Sequence, residues 1–194
     1  MNESENCNKI ILASASPRRR QLMEEAGIPF EAAPSGAREI DCLPPRELVL
    51  ENARLKAMDA AEKFPERLVL GADTTVALNG KIFGKPKDPA EAAQMLQTLQ
   101  GKTHSVWTGV CLAKKSGGKI FSKCAAEESK VGFKKLGGEE IAEYLQKVYV
   151  LDKAGAYAAQ ECGEMIIEKI DGAFDNVMGL PMRTVKNLLD TADF

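Results

Sequence analysis

Apolar residues fall into short unbroken runs and into steps of three and four, and the two spacings alternate along the chain. Ile10-Ile11-Leu12-Ala13 is a run of the kind a buried strand carries, and Ser14-Ala15-Ser16-Pro17 then opens a helical stretch ending near Gly27. Between Glu47 and Phe64, Leu50, Ala53, Ala57, Ala60 and Phe64 recur at helical spacing, which predicts a second helix with Lys56 at the edge of its buried stripe. Leu68-Val69-Leu70-Gly71-Ala72 reads as another buried strand, and Asn79-Gly80 as a hairpin turn in the β segment beyond it. Asp88-Pro89 reads as the cap and first turn of a helix running to about Leu99.

From Thr103 to Val131 the pattern changes to alternation and predicts two long strands joined near Gly117-Gly118. His104, Val106, Thr108 and Val110 fall on one face, with Ser105, Trp107, Gly109 and Cys111 on the other, and the pair is a candidate for a second lobe. Glu139 to Leu145 predicts a short helix, Met165 to Ile170 a strand, and Pro181 to Leu189 a closing helix. The class is mixed α/β. There is no internal repeat or low-complexity linker, so the 194 residues are expected to form one domain whose two lobes share a core and enclose a cleft.

Charge removes one class of partner. Against 28 acidic residues the chain sets 26 Lys and Arg, a net charge of −2, which lacks the basicity of a non-specific polynucleotide binder. The five cysteines, Cys7, Cys42, Cys111, Cys124 and Cys162, are odd in number and never form a CxxC pair; they read as reduced thiols rather than a disulfide framework or a zinc site. The acidic, polar start MNESENCNK is unlike a signal peptide, and no run approaches the ~20 apolar residues of a membrane span. A soluble, cytoplasmic protein is expected.

Three features suggest chemistry. In Ser16-Pro17-Arg18-Arg19-Arg20 a helix start is followed by three cations, the sign that the helix dipole disfavours at that end, each at a cost of about 0.3–1 kcal/mol. A bound phosphate chain would remove the conflict; three solvated arginines would merely tolerate it. Asp73, in Gly71-Ala72-Asp73-Thr74, follows an apolar strand at the edge where open α/β sheets gather ligands, and reads either as a metal ligand or water activator or as a turn-former. Lys56 and Lys85 suit a polyphosphate pocket but also suit a solvated surface, and Lys153 has the same two readings. His104, the single histidine, reads as structural. No P-loop and no Ser/His/Asp or Cys/His constellation is present.

Taken together, these segments resemble the Maf family of nucleotide pyrophosphatases. The likeness runs through Ser14-Ala15-Ser16-Pro17-Arg18-Arg19, Ala53-Arg54-Leu55-Lys56-Ala57, Gly71-Ala72-Asp73-Thr74-Thr75-Val76 and Gly84-Lys85-Pro86. It continues through Gly101-Lys102-Thr103-His104-Ser105-Val106-Trp107-Thr108-Gly109-Val110, Lys153-Ala154-Gly155-Ala156-Tyr157-Ala158-Ala159-Gln160 and Asn176-Val177-Met178-Gly179-Leu180-Pro181. Each string is weak alone; their shared order is specific.

The resemblance implies an α/β fold similar to inosine triphosphate pyrophosphatases, with two lobes around a deep cleft, commonly as a homodimer. It implies water attack at the α-phosphorus of a nucleoside triphosphate, releasing pyrophosphate. By that likeness Asp73 is the proton acceptor, Arg18, Arg19, Lys56 and Lys85 surround the phosphates, and Ser14 and Ser16 form the anchoring loop. Mg²⁺ or Mn²⁺ is expected, with Asp73 and Glu39 as oxygen donors, although Gly36-Ala37-Arg38-Glu39 follows the family's acidic stretch only loosely. Arg18, Thr74 and Gln160 match the branch that acts on dTTP and UTP. Ala158 to Glu164 and Met178 depart from that branch. A non-catalytic nucleotide-binding regulator and a phosphotransferase are the competing classes.

Overall fold

The computed structural model describes residues 9–194, so Cys7 and the polar stretch before Lys9 lie outside it. Strand β1 (Ile10–Leu12) is buried throughout and pairs in parallel with β2 (Phe30–Ala32) and with β3 (Leu68–Leu78). Between β1 and β2, Ser16 caps helix α1 (Pro17–Glu25) with Pro17 in its first turn, and Gly27 at φ 66° carries the chain out. Helix α2 (Pro45–Lys63) leads into β3. Its inner face is Val49, Asn52, Ala53, Ala57, Ala60 and Ala61; Leu50, expected in the stripe, is only half-buried.

β3 runs well past the apolar residues that announce it, so Asp73 lies inside the strand and not beyond its end. Thr74, Thr75 and Val76 are β-branched and continue the extended chain at little cost. Asn79 (φ 51°) and Gly80 (φ 79°) supply the two left-handed positions of the hairpin into β4 (Lys81–Phe83). Asp88 caps helix α3 (Pro89–Leu99), its carboxylate accepting the Glu91 N–H at 2.8 Å.

The two long strands are β5 (Thr103–Ser116) and β6 (Lys119–Phe133), followed by α4 (Gly138–Lys147), a 3₁₀ turn (Ala154–Ala156) and α5 (Gly163–Ile166). Then come β7 (Ile167–Asp171), α6 (Phe174–Met178) and α7 (Met182–Asp190). Met165 and Ile166, expected to begin a strand, close α5 instead. The described residues thus form seven α-helices and one seven-stranded mixed sheet of order β2-β1-β3-β5-β6-β7, with β4 on β3. No helix among them is long and apolar enough to cross a membrane.

The chain divides into two compact units. The first takes residues up to Asp73, Thr108–Glu127 and Gly179–Phe194; the second takes Thr74–Trp107 and Glu128–Met178. β3, β5 and β6 each pass from one unit into the other, so the β5/β6 pair is shared and is not a lobe by itself. The first unit packs Ile11, Ala13 and Val69 against Ala53, Ala57 and Ala60 of α2. The second packs Val76, Leu96, Leu99, Phe133 and Ile166 around Tyr144 and Tyr157.

In the first unit α2 lies unusually close to the sheet. A Cβ on Gly71 would stand 2.3 Å from the Ala53 carbonyl oxygen, and one on Gly109 2.2 Å from that of Val49. Two glycines on the strands and a line of alanines on the helix therefore remove the side-chain layer that would hold them apart.

One expectation about the cysteines is overturned. Cys111 and Cys124 form a disulfide, leaving Cys42 exposed and Cys162 half-buried as free thiols. The two sulfurs meet because β5 and β6 are neighbours in the sheet, a relation set by strand register that local Cys spacing does not encode.

Candidate active site

Asp73 is held by a donor on each oxygen. Its Oδ1 lies 2.7 Å from Lys56 Nζ, and its Oδ2 accepts a hydrogen bond from Asn52 Nδ2 at 3.2 Å. Lys56 and Asn52 both come from α2, one turn apart on one face. The side chains of Asp73 and Lys56 are only 11% and 14% exposed, so this ion pair is far less screened than a surface pair. Glu39, more open to solvent, places Oε1 2.7 Å from the same Lys56 nitrogen.

Arg19 follows a different course from a solvated cation. Its Nε donates to the Gly179 carbonyl at 2.8 Å, and one terminal nitrogen donates to Ser14 Oγ at 3.1 Å and to the Ala72 carbonyl at 3.0 Å. Burial pushes the Arg19 pKa down and the charge of Asp73 pushes it back up, with smaller opposed effects from Arg18 and Glu39. The group stays protonated, because a guanidinium is not deprotonated in proteins. Ser14 Oγ also accepts from the Ser16 N–H at 3.2 Å, and Ser16 Oγ faces the Arg19 N–H at 3.5 Å. The two serines shape the loop that presents the arginines. Arg18 is half-buried and Arg20 exposed, Arg20 donating to the Ala15 carbonyl at 3.1 Å. Part of the unfavourable charge at this helix start is thus answered by carbonyl oxygens.

The donor chemistry suits a hard divalent cation. Glu39 and Asp73 already converge on one positive charge, the Lys56 ammonium, and both offer carboxylate oxygen. Among the described residues no group of three or more His, Cys, Asp or Glu is placed to hold a metal. Two carboxylates completed by water and phosphate oxygens is the arrangement Mg²⁺ commonly takes.

The other expected residues belong to the second unit. Thr74, the next residue on β3, is half-buried. Lys85 is exposed in the loop after β4. Gln160 donates from Nε2 to Glu161 Oε1 at 3.0 Å, while its own Oε1 is buried with no hydrogen-bond partner. Lys153 is buried, bonded to the Tyr149 carbonyl and to Asp152 Oδ1 at 2.9 Å, with Glu161 Oε1 at 3.6 Å; its place is structural. His104 is structural too. Its Nε2 lies 2.9 Å from the Tyr157 hydroxyl, its ring meets those of Phe133 and Tyr157 edge-on, and burial depresses its pKa to about 4.

Residues 9–192 match the profile of the Maf-like protein family. The chain belongs to the Maf family. A Maf relative from Akkermansia muciniphila is 45% identical over 93% of this chain and 95% of its own length, and one from Pyrococcus furiosus is 44% identical over 94% of each. A third, from Gloeobacter violaceus, is 41% identical over 95% of this chain and 96% of its own length. Each is named dTTP/UTP pyrophosphatase. The mixed α/β architecture expected from the sequence is accordingly that of a Maf protein.

Within this Maf site, sequence reading singles out Ser14, Arg19, Glu39, Lys56 and Asp73 and misses Asn52. A polar residue one turn before Lys56, on the face that carries Ala53 and Ala57, was the available signal: a buried amide on an alanine stripe needs partners.

Proposed function

We propose that this protein hydrolyses dTTP and UTP to the nucleoside monophosphate and pyrophosphate. The observation that carries the reading is Asp73, a carboxylate with a donor on each oxygen, set beside Lys56 and Arg19 in a chain 41–45% identical to relatives named for this activity. Asp73 takes the proton of a water that attacks the α-phosphorus. The bond between the α- and β-phosphates breaks, and Arg18, Arg19, Lys56 and Lys85 offset the charge gathering on the pyrophosphate. Ser14 and Ser16 keep the loop that presents the arginines in shape.

Asp73 and Glu39 are the residues that would hold Mg²⁺ or Mn²⁺, which when bound neutralises charge on the phosphate oxygens. Lys56, held between these two carboxylates, would set its ammonium against the phosphate chain. Arg18, Thr74 and Gln160 read the base. Support comes from the Gln160 amide: with Nε2 on Glu161, its buried Oε1 is an acceptor awaiting a donor. Uracil and thymine carry N–H at ring position 3, whereas cytosine presents an acceptor there, and an unmet acceptor costs about 1–3 kcal/mol. The reading extends to a cytoplasmic homodimer, which sedimentation and cell fractionation would check.

The test is pyrophosphate release from dTTP, UTP, CTP, GTP, ITP and 7-methyl-GTP, with Mg²⁺, with Mn²⁺ and with a chelator. Metal-dependent release from dTTP and UTP, with CTP slower by about tenfold or more, is the expected result. Release chiefly from a purine nucleotide overturns the base reading. Nucleotide binding without pyrophosphate overturns the enzyme and favours a regulator.

A further inference from the structure

We propose that Asn52 is a positioning residue for Asp73, one carboxamide fixing the carboxylate and the loop that carries Glu39 at once. The inference rests on the reading of Asp73 as the group that takes the proton of water.

Asn52 is 3% exposed on the inner face of α2. Its Oδ1 accepts the Ile40 N–H at 2.9 Å, and its Nδ2 donates to the Ile40 carbonyl at 3.0 Å and to Asp73 Oδ2 at 3.2 Å. Both amide hydrogens are therefore committed. The pair of bonds to Ile40 fixes the plane of the amide and decides which end faces Asp73. An N–H and a C=O on one residue can be answered only by the matching oxygen and nitrogen, so the donor end turns to the carboxylate.

Tethering the loop alone would be complete with the Ile40 pair. The third bond acts on Asp73. With Oδ1 on Lys56 and Oδ2 on Asn52, the carboxylate cannot turn about its Cβ–Cγ bond. Freed of Asn52 it could rotate until both oxygens faced the ammonium, and the lone pair that orients water would be lost. Glu39 is the neighbour of Ile40 and holds the other side of Lys56, so the same amide sets where both carboxylates stand. Few substitutes serve. Gln is one methylene too long, Leu fills the space with no donor, and Asp keeps the acceptor for the Ile40 N–H while setting a second anion against Asp73.

The experiment compares Asn52→Asp, Asn52→Leu and Asp73→Asn with the parent. It reads kcat and KM for UTP, the Kd of the non-hydrolysable analogue α,β-imido-dUTP by calorimetry, and the melting transition by circular dichroism. Positioning predicts that Asn52→Asp and Asn52→Leu each lose about 10- to 100-fold in kcat while analogue Kd stays within about threefold and melting stays cooperative. Asn52→Asp, the variant that still accepts from Ile40, then loses at least as much as Asn52→Leu. If Asn52→Asp keeps kcat within about twofold of the parent while Asn52→Leu falls, the amide is a loop tether only and the proposal is overturned. Should Asn52→Asp not melt cooperatively, Asn52→Ser takes its place, and a parental kcat there overturns the proposal equally. An active Asp73→Asn sinks the reading of Asp73 itself, a separate failure from that of Asn52.

Discussion

A carboxylate has about four lone-pair positions, and at Asp73 two of them are taken by Lys56 and Asn52, which leaves the outer pair to define where a water can sit. Replacing Asp73 by Asn keeps the shape and removes the proton acceptor. Asp73→Asn should therefore lower kcat by about 10²–10⁴-fold with nucleotide affinity largely kept, which single-turnover assays and calorimetry would separate. Asp73 and Lys56 were legible because each has a local mark: a charge at the end of an apolar run, and a cation at the rim of a helical stripe. Asn52 has no such mark. Its partners Ile40 and Asp73 lie 12 and 21 positions away in sequence, so its role exists only after the chain has folded. Arg19 shows the reverse error of emphasis, since a cation read chiefly as a phosphate ligand also ties down the carbonyls of Ala72 and Gly179.

Helix α2 can reach Asp73 only because β3 and β5 let it come so near. A methyl group at Gly109 would have to displace backbone, which no rotamer change can relieve. Gly109→Ala and Gly71→Ala should each cost at least ~1–3 kcal/mol of unfolding free energy and lower kcat as well, because the displaced helix carries both Lys56 and Asn52. Gly138→Ala, where the added Cβ meets nothing within 4 Å, is the control and should leave both unchanged in urea titration and assay. At this scale the sequence was legible wherever turn chemistry agreed with periodicity: the Asn79-Gly80 hairpin, the Asp88 cap and the Gly117-Gly118 join all stand. It was less so where the signals disagreed. The polar Asp73-Thr74-Thr75 hid the second half of β3, and the apolar Met165-Ile166 imitated the start of β7.

For the molecule as a whole, acid acts through a buried histidine of the second unit. His104 stays neutral in the folded chain down to about pH 4, whereas unfolded it takes a proton near 6.5. The unfolded state thus binds more protons between those values, and stability falls as pH drops from 6.5 toward 4, by up to about 3 kcal/mol from this group. His104→Gln should flatten that slope in urea titrations run across the interval; an unchanged slope would mean that the imidazole is not what the acid attacks. The fold class could be read from alternating periods alone, but the division into units could not, because each is stitched from separated stretches of chain. That stitching bears on synthesis. Every residue of the second unit is made before Gly179, while the first unit, which already holds Ile10 and Asp73, still lacks the stretch that begins at Gly179. The part holding Asp73 cannot close until the second unit has been made, and only after that does Arg19 receive the Gly179 carbonyl.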